Sequence, residues 1–325
     1  MKNDNLISKL KNIPISNYQP YKEIKQQSNS PIEVKHNVGE LIDNSCLVKV
    51  KEIGNEIQLS HIKSVPLELP IERISDTHYR VKSTGEIREY KKSKTRDEHY
   101  KSLARTFRNL RELINNNFYG FANEKFITLT YQGLQRDEKK LYNDFKIWVK
   151  AIRRRYGKLD YINVVEPQAT GSWHCHVLIR FHELHKENNY IDYNEFRSYW
   201  KHGSFVNVRS LEDVNNVGLY LSAYLTDIEV DDNSLQDLES DEEIVNKEIN
   251  GKSKSIIKGG RLKYYPSGMN LYRCSRGIKK PIEYYSQKDS MDFTLFDLKH
   301  SNKIELLKDG NLVNTIHYEH YSLKK

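Results

Sequence analysis

Nowhere in the 325 residues is there an apolar run of about eighteen, the length a membrane-crossing helix needs. The opening residues, MKNDNLISKLKNIPISNYQP, hold no apolar segment of the kind an export signal requires. Cysteine is scarce: Cys46, Cys175 and Cys274 form no CxxC pair, which argues against a disulfide scaffold or a zinc ribbon. The expectation is a cytoplasmic, reduced protein with no membrane partner. A GxxxxGK run followed by Ser or Thr is also missing, so an intrinsic ATP-driven motor is not supported. No internal repeat is visible.

What the chain has is charge. Apolar residues make up 37% and charged residues 30%, polar for a globular protein but too apolar for a disordered one. At about 150 residues per domain the length allows two or three. The formal net charge is +8, yet Asp227–Glu248 carries ten acidic residues against the single Lys247. That stretch holds −9, which leaves +17 on the remainder and favours a polyanionic partner.

Patterning divides the chain into four parts. Residues 1–30 are polar and read as a flexible N-terminus. Residues 31–95 read as a small β-rich region, with hairpins turning at Gly54-Asn55 and Thr84-Gly85. From 96 to 285 helices and strands alternate. Leu103, Phe107, Leu110 and Ile114 recur at helical spacing, and FITLTY (126–131) reads as a strand. An amphipathic helix follows over 137–156, closed by Gly157. Residues 160–181 read as a hairpin, Asp192 and Glu195 form a capping box, 204–208 is a strand and 212–226 a helix. The acidic stretch 227–248 reads as a solvated loop. A C-terminal hairpin within 286–325 turns at Asp309-Gly310. This order implies an α+β fold, an antiparallel sheet of the split-βαβ type with helices packed on it.

His174 and His176 flank Cys175 in a strand, where a period of two puts both imidazoles on one face. Paired imidazoles are natural metal ligands, though a bare HxH is a weak pattern. Glu166 strengthens it: a hairpin centred near Thr170 places this carboxylate directly opposite His174. Tyr220 and Tyr224 stand at i and i+4 of a helix, either as packing residues or as potential covalent nucleophiles. HELH (182–185) has HxxH spacing without a helix to align it, so it reads as surface histidines. Basic residues cluster at Lys146, Lys150, Arg153, Arg154 and Arg155. A second set, Arg261, Lys263, Arg273, Arg276, Lys279 and Lys280, is interleaved with Tyr264, Tyr265 and Tyr272. Such mixtures suit single-stranded DNA or form a solvated face over buried tyrosines. Trp173 either stacks on a base or caps the sheet.

Together these segments resemble the HUH endonuclease superfamily, in particular the rolling-circle replication initiators of bacterial plasmids and single-stranded DNA phages. FITLTY resembles the first motif, Glu166 with His174-Cys175-His176 the metal motif, and YLSAYLTD the tyrosine motif. RLKYYPSGMNLYRCSRGIKKP is like the stretch that follows in bacterial members. The resemblance covers residues 96–285. It implies a Mn²⁺ or Mg²⁺ ion on Glu166, His174 and His176, with Tyr224 as primary nucleophile and Tyr220 as a second nucleophile or a packing residue. It further implies a 5′-phosphotyrosine link to origin DNA, and a host helicase and DNA polymerase as partners. The family's motif usually places a lysine three residues after each tyrosine; here those positions are Ala223 and Asp227. The same motifs would also serve a transposase or relaxase, or a catalytically impaired DNA-binding regulator of this fold.

Overall fold

The computed structural model describes residues 32–64, 71–90, 100–168, 171–183, 191–203, 206–211, 228–229, 244–249, 252–257, 264–266 and 268–324. The chain divides into two compact units. One comprises residues 1–50, 57–91 and 284–325; the other comprises 51–56 and 92–283.

The first unit is built mainly on strands β1 (Glu33–Val38), β2 (Leu47–Ile53), β3 (Glu56–Ile62), β4 (Ile71–Arg73), β5 (His78–Val81) and β6 (Ile87–Glu89). In the second lie α1 (Tyr100–Asn115), β7 (Glu124–Leu129), α2 (Glu138–Tyr156), β8 (Leu159–Pro167) and β9 (Trp173–Phe181). They are followed by α3 (Tyr193–Ser198), β10 (Val206–Ser210), β11 (Ile228–Glu229), β12 (Ile244–Ile249), β13 (Lys252–Ile257) and β14 (Tyr272–Cys274). Strands β15 (Ile282–Gln287), β16 (Phe296–Lys308) and β17 (Asn311–Leu323) end the chain.

In the first unit a six-stranded sheet runs β1-β16-β17-β3-β2-β15, so the N-terminal β-rich segment and the C-terminal hairpin share one sheet. Glu33 pairs with Leu307, near the other end of the chain. Val48, Val50, Leu59 and Tyr321 are buried beneath it. A buried ion pair crosses this core: Lys288 Nζ lies 2.8 Å from Glu319 Oε1, which also accepts the Ile42 N–H. Tyr321 donates its hydroxyl to the other Glu319 oxygen. Burial, reinforced by that carboxylate, pushes the Tyr321 phenol well above its ordinary pKa.

The second unit is an α+β layer structure around an antiparallel sheet in the order β10-β7-β9-β8-β14. Alternation along β9 is the organising feature. Its odd residues, Trp173, Cys175, Val177, Ile179 and Phe181, join Leu141, Phe145, Trp148, Val149 and Ile152 of α2 in one core. Its even residue Leu178 joins Phe126, Ile162 and Val164 against Leu110 and Ile114 of α1 in a second. α2 begins where the sequence implies. Asp137 is its N-cap, accepting from the Lys139 and Lys140 N–H groups, and Gly157 ends it at φ +75. The Asp192 carboxylate likewise accepts the Glu195 N–H to start α3.

One end of the sheet is pinned by charge. Glu124 is fully buried, and its Oε2 accepts the backbone N–H groups of Tyr119, Gly120 and Phe121. Its Oε1 receives Arg180 Nε at 2.8 Å. This carboxylate therefore shapes the connection from α1 into β7 as well as joining β7 to β9. Gly203 marks a second close approach. A Cβ there would lie 1.8 Å from the Thr130 carbonyl oxygen, a position only glycine can hold.

At the two ends of the acidic stretch the described residues are strands where the sequence implies a loop, and residues 230–243 lie outside the described residues. Ile228–Glu229 and Ile244–Ile249 are strands, and with β13 they form a three-stranded antiparallel sheet, β11-β13-β12. The sequence holds the reason. Asn250-Gly251 stands between β12 and β13, the two-residue spacing of a hairpin, and Ile, Val and Ser-rich runs flank it. The density of carboxylates masks that pattern. The expected helix over 212–226 lies outside the described residues.

Removing the Glu124 carboxylate takes away the ion-pair partner of Arg180 and frees three loop amides. Glu124→Ala is expected to lower stability by about 3–5 kcal/mol, read as a fall in the urea midpoint of tryptophan fluorescence.

Candidate active site

The site is assembled by the β8–β9 hairpin at the end of the sheet remote from Glu124. The register pairs Glu166 with His174 and Val164 with His176. Both imidazoles and the carboxylate therefore share the α1-side face, as the hairpin spacing implies. Long side chains also reach diagonal partners two residues along the neighbouring strand. That is how Glu166 is used: its Oε2 is in direct contact with His176 Nε2. Both groups are deeply placed, Glu166 at 3% and His176 at 8% exposure, while His174 is half-buried. The two imidazole rings meet edge-on with centroids 6.3 Å apart.

Strand β7 supplies the other wall. Thr128 pairs directly with His176, and its Oγ1 lies 3.3 Å from His176 Nδ1. Phe126 stacks on the same imidazole, centroids 5.6 Å apart and planes at 11°. Reading FITLTY as a core strand does not by itself reveal these contacts. The available signal is a polar Thr128 on the same strand face as Phe126, visible once β7 is set beside β9.

The turn that carries the site is anchored on its far side. Trp173 N–H donates to the Gln135 carbonyl, Gln135 N–H donates to Ser172 Oγ, and the Trp173 indole donates to the Arg136 carbonyl. Gly171 turns the chain at φ +76. Trp173 is thus a core residue: it is 3% exposed and packs beside Tyr265. Of its two sequence readings this favours the cap on the sheet over the DNA contact, because an indole buried on the α2 side offers no ring face to a base. Tyr265 is likewise buried, with its hydroxyl donated to the Val165 carbonyl.

Cys175 sits between the histidines in sequence but points into the opposite core. Burial pushes its thiol up to about 12, with the Asn163 amide pulling weakly the other way. A neutral buried thiol is neither ligand nor nucleophile.

Of the basic residues expected to contact DNA, Arg153, Arg154 and Arg155 are exposed on the last turn of α2, on the other side of the sheet. They also lie by the start of β8. The seven-residue step from Leu159 to Glu166 is ~23 Å of strand. Arg155 is engaged by Glu195, with Nη2 3.1 Å from Oε2, and Arg153 lies over the Tyr161 ring. The structure does not bring this basic turn to Glu166. Arg273, Arg276, Lys279 and Lys280 are exposed, and the Arg273 guanidinium lies 3.3 Å above the Tyr142 ring. His182 of the HELH run bonds Asp160 at 2.8 Å, which also receives the Ser275 hydroxyl at 2.7 Å. Burial opposes ionisation of that carboxyl, but the two hydrogen bonds prevail and hold its pKa below the ordinary value. Tyr220, Tyr224, Arg261 and Lys263 lie outside the described residues.

Among the described residues, no three His, Cys, Asp or Glu side chains stand as a ready-made cation cage. The donor set itself fits a divalent ion. Glu166 and His176 already meet through the atoms that would face it, and His174 adds a second imidazole on the same face. The described residues therefore define an α+β protein whose antiparallel sheet carries a carboxylate and two histidines on one face.

A family model described as Replication-associated protein, of the ORF2 type, matches residues 124–229, the segment from the start of β7 to the end of β11. The matched segment, about a third of the chain, takes in Thr128, Glu166, His174 and His176. No curated protein and no solved structure matches the chain.

The placement of Cys175 predicts its reactivity. At pH 8 a thiol with a pKa about 12 is roughly one part in ten thousand thiolate. Alkylation with iodoacetamide followed by mass spectrometry should leave Cys175 unmodified in the native protein and label it fully in denaturant.

Proposed function

We propose that this protein is a rolling-circle replication initiator of the HUH type, one that nicks and rejoins single-stranded origin DNA through a tyrosine. The observation that carries the reading is the meeting of Glu166 with His176, beside His174, inside the segment matched by the replication-associated family. The element order β7-α2-β8-β9-α3-β10, with the sheet order β10-β7-β9-β8, supports it as a β-α-β-β-α-β unit of the split-βαβ kind.

In this reading Glu166, His174 and His176 hold Mn²⁺ or Mg²⁺. When bound, such an ion neutralises phosphate charge and stabilises the charge that develops during displacement. Tyr224 supplies the attacking oxygen. The new bond joins that oxygen to phosphorus, and the bond broken is the one from phosphorus to the 3′ oxygen. The products are a 5′-phosphotyrosine and a free 3′-hydroxyl, which primes a DNA polymerase. Attack by a 3′-hydroxyl reverses the exchange without ATP, because the phosphoester is conserved. Tyr220, one helical turn away in sequence, would serve a second cleavage. Unwinding falls to a host helicase. Exposed Arg273, Arg276 and Lys279 favour phosphate attraction near β14 and the segment after it.

A second reading has its own observation. Ala223 and Asp227 occupy the positions where the resembling motif carries lysines, which favours a DNA-binding regulator with impaired cleavage.

The test is incubation of the full chain with labelled single-stranded origin DNA and Mn²⁺, read on a denaturing gel. A band shifted to protein size is expected, lost in EDTA, in Glu166→Gln and in Tyr224→Phe. Persistence in Tyr224→Phe with loss in Tyr220→Phe would reassign the nucleophile. Tight binding without any adduct would establish the regulator.

A further inference from the structure

We infer that Thr128 is a positioning residue that holds the ring orientation of His176 and satisfies Nδ1 in either tautomer, so that Nε2 can present its lone pair to a cation on Glu166. The inference rests on the cation reading of the site and goes beyond it by assigning a role to a residue outside the ligand set.

Three contacts confine the His176 ring. Phe126 covers one face nearly parallel, Glu166 meets Nε2, and Thr128 Oγ1 approaches Nδ1 at 3.3 Å from the directly paired position on β7. A neutral imidazole carries one proton. Only if that proton is on Nδ1 is Nε2 free to coordinate. A hydrogen-bond partner on the second nitrogen fixes ligand orientation in metal sites.

The chemistry of a hydroxyl suits this position better than a carboxylate or a carbonyl would. It both donates and accepts. With the Nε2 proton bonded to Glu166, the Thr128 hydroxyl donates to Nδ1. With Nε2 turned to a cation, the same oxygen accepts the Nδ1–H. One residue thus satisfies His176 in both states without moving the ring out of its place against Phe126. An apolar residue in its place would leave Nδ1 facing a methyl group in either state. A β-branched side chain is also what a strand favours here, so the hydroxyl is the only part of Thr128 that packing alone does not call for.

The test measures Mn²⁺ binding by the full-length protein directly, by electron paramagnetic resonance of the free ion, in the absence of DNA. Thr128→Val keeps the shape and removes the hydroxyl; it is expected to weaken Mn²⁺ binding about 10–100-fold. Thr128→Ser should restore wild-type affinity, which a purely steric role of the γ-methyl would not allow. Thermal unfolding of each variant without metal separates loss of fold from loss of affinity. Wild-type affinity in folded Thr128→Val, with affinity lost in His176→Ala, would overturn the role of Thr128 and leave the cation site standing. Absence of Mn²⁺ binding by the wild-type protein would overturn both.

Discussion

Strand β9 imposes the constraint on which the second unit depends. Its odd side chains fill the core under α2 and its even side chains face α1, so its register against β7 and β8 admits no slip. A one-residue shift would turn His174 and His176 in among Phe145, Trp148 and Ile152 and carry Cys175, Val177 and Ile179 to the α1 side. The energy of both cores thus holds the two histidines in place. The hydrophobic residues between and beyond the histidines hold the backbone of the site, and the groups around His176 orient its ring.

Along its even residues, β9 passes from chemistry to structure. His174 and His176 stand at one end, Leu178 lies under α1, and Arg180 ends the series on the buried Glu124. Polar groups at the two ends are treated in opposite ways. Glu124 is saturated by three backbone amides and a guanidinium, which makes it a fixed joint. Glu166 instead faces an imidazole. A buried carboxylate set against an imidazole is a costly arrangement for stability alone, unlike the fully bonded Glu124.

Much of this unit is legible in the sequence because its signals are local. Asp137 and Gly157 bound α2, Asp192 and Glu195 start α3, and the spacing from Glu166 to His174 sets the hairpin register. Where the sequence is less informative, the causes are physical as well. The sequence leaves Trp173 as either a stacking ring or a cap on the sheet, because an aromatic beside a turn has no sequence mark of burial; its burial depends on the distant Gln135–Arg136 segment. The acidic stretch reads as loop because its charge outweighs the hairpin pattern of β12 and β13. The basic run Arg153–Arg155 looks adjacent to the hairpin in sequence, yet α2 and β8 carry it to the opposite side and end of the sheet.

By itself the sequence determined the alternations, caps and turns, and with them the shared face of Glu166, His174 and His176, because each depends on neighbours a few residues apart. Only the tertiary structure decided what stands around that face. β7 lies far before His176 in the chain, and pairing with β9 is what brings Thr128 and Phe126 onto the imidazole. β1 joins β16 in the same way across most of the chain. Such contacts are selected by the burial of whole sheet faces, a property of the assembled layers that no short window of residues contains.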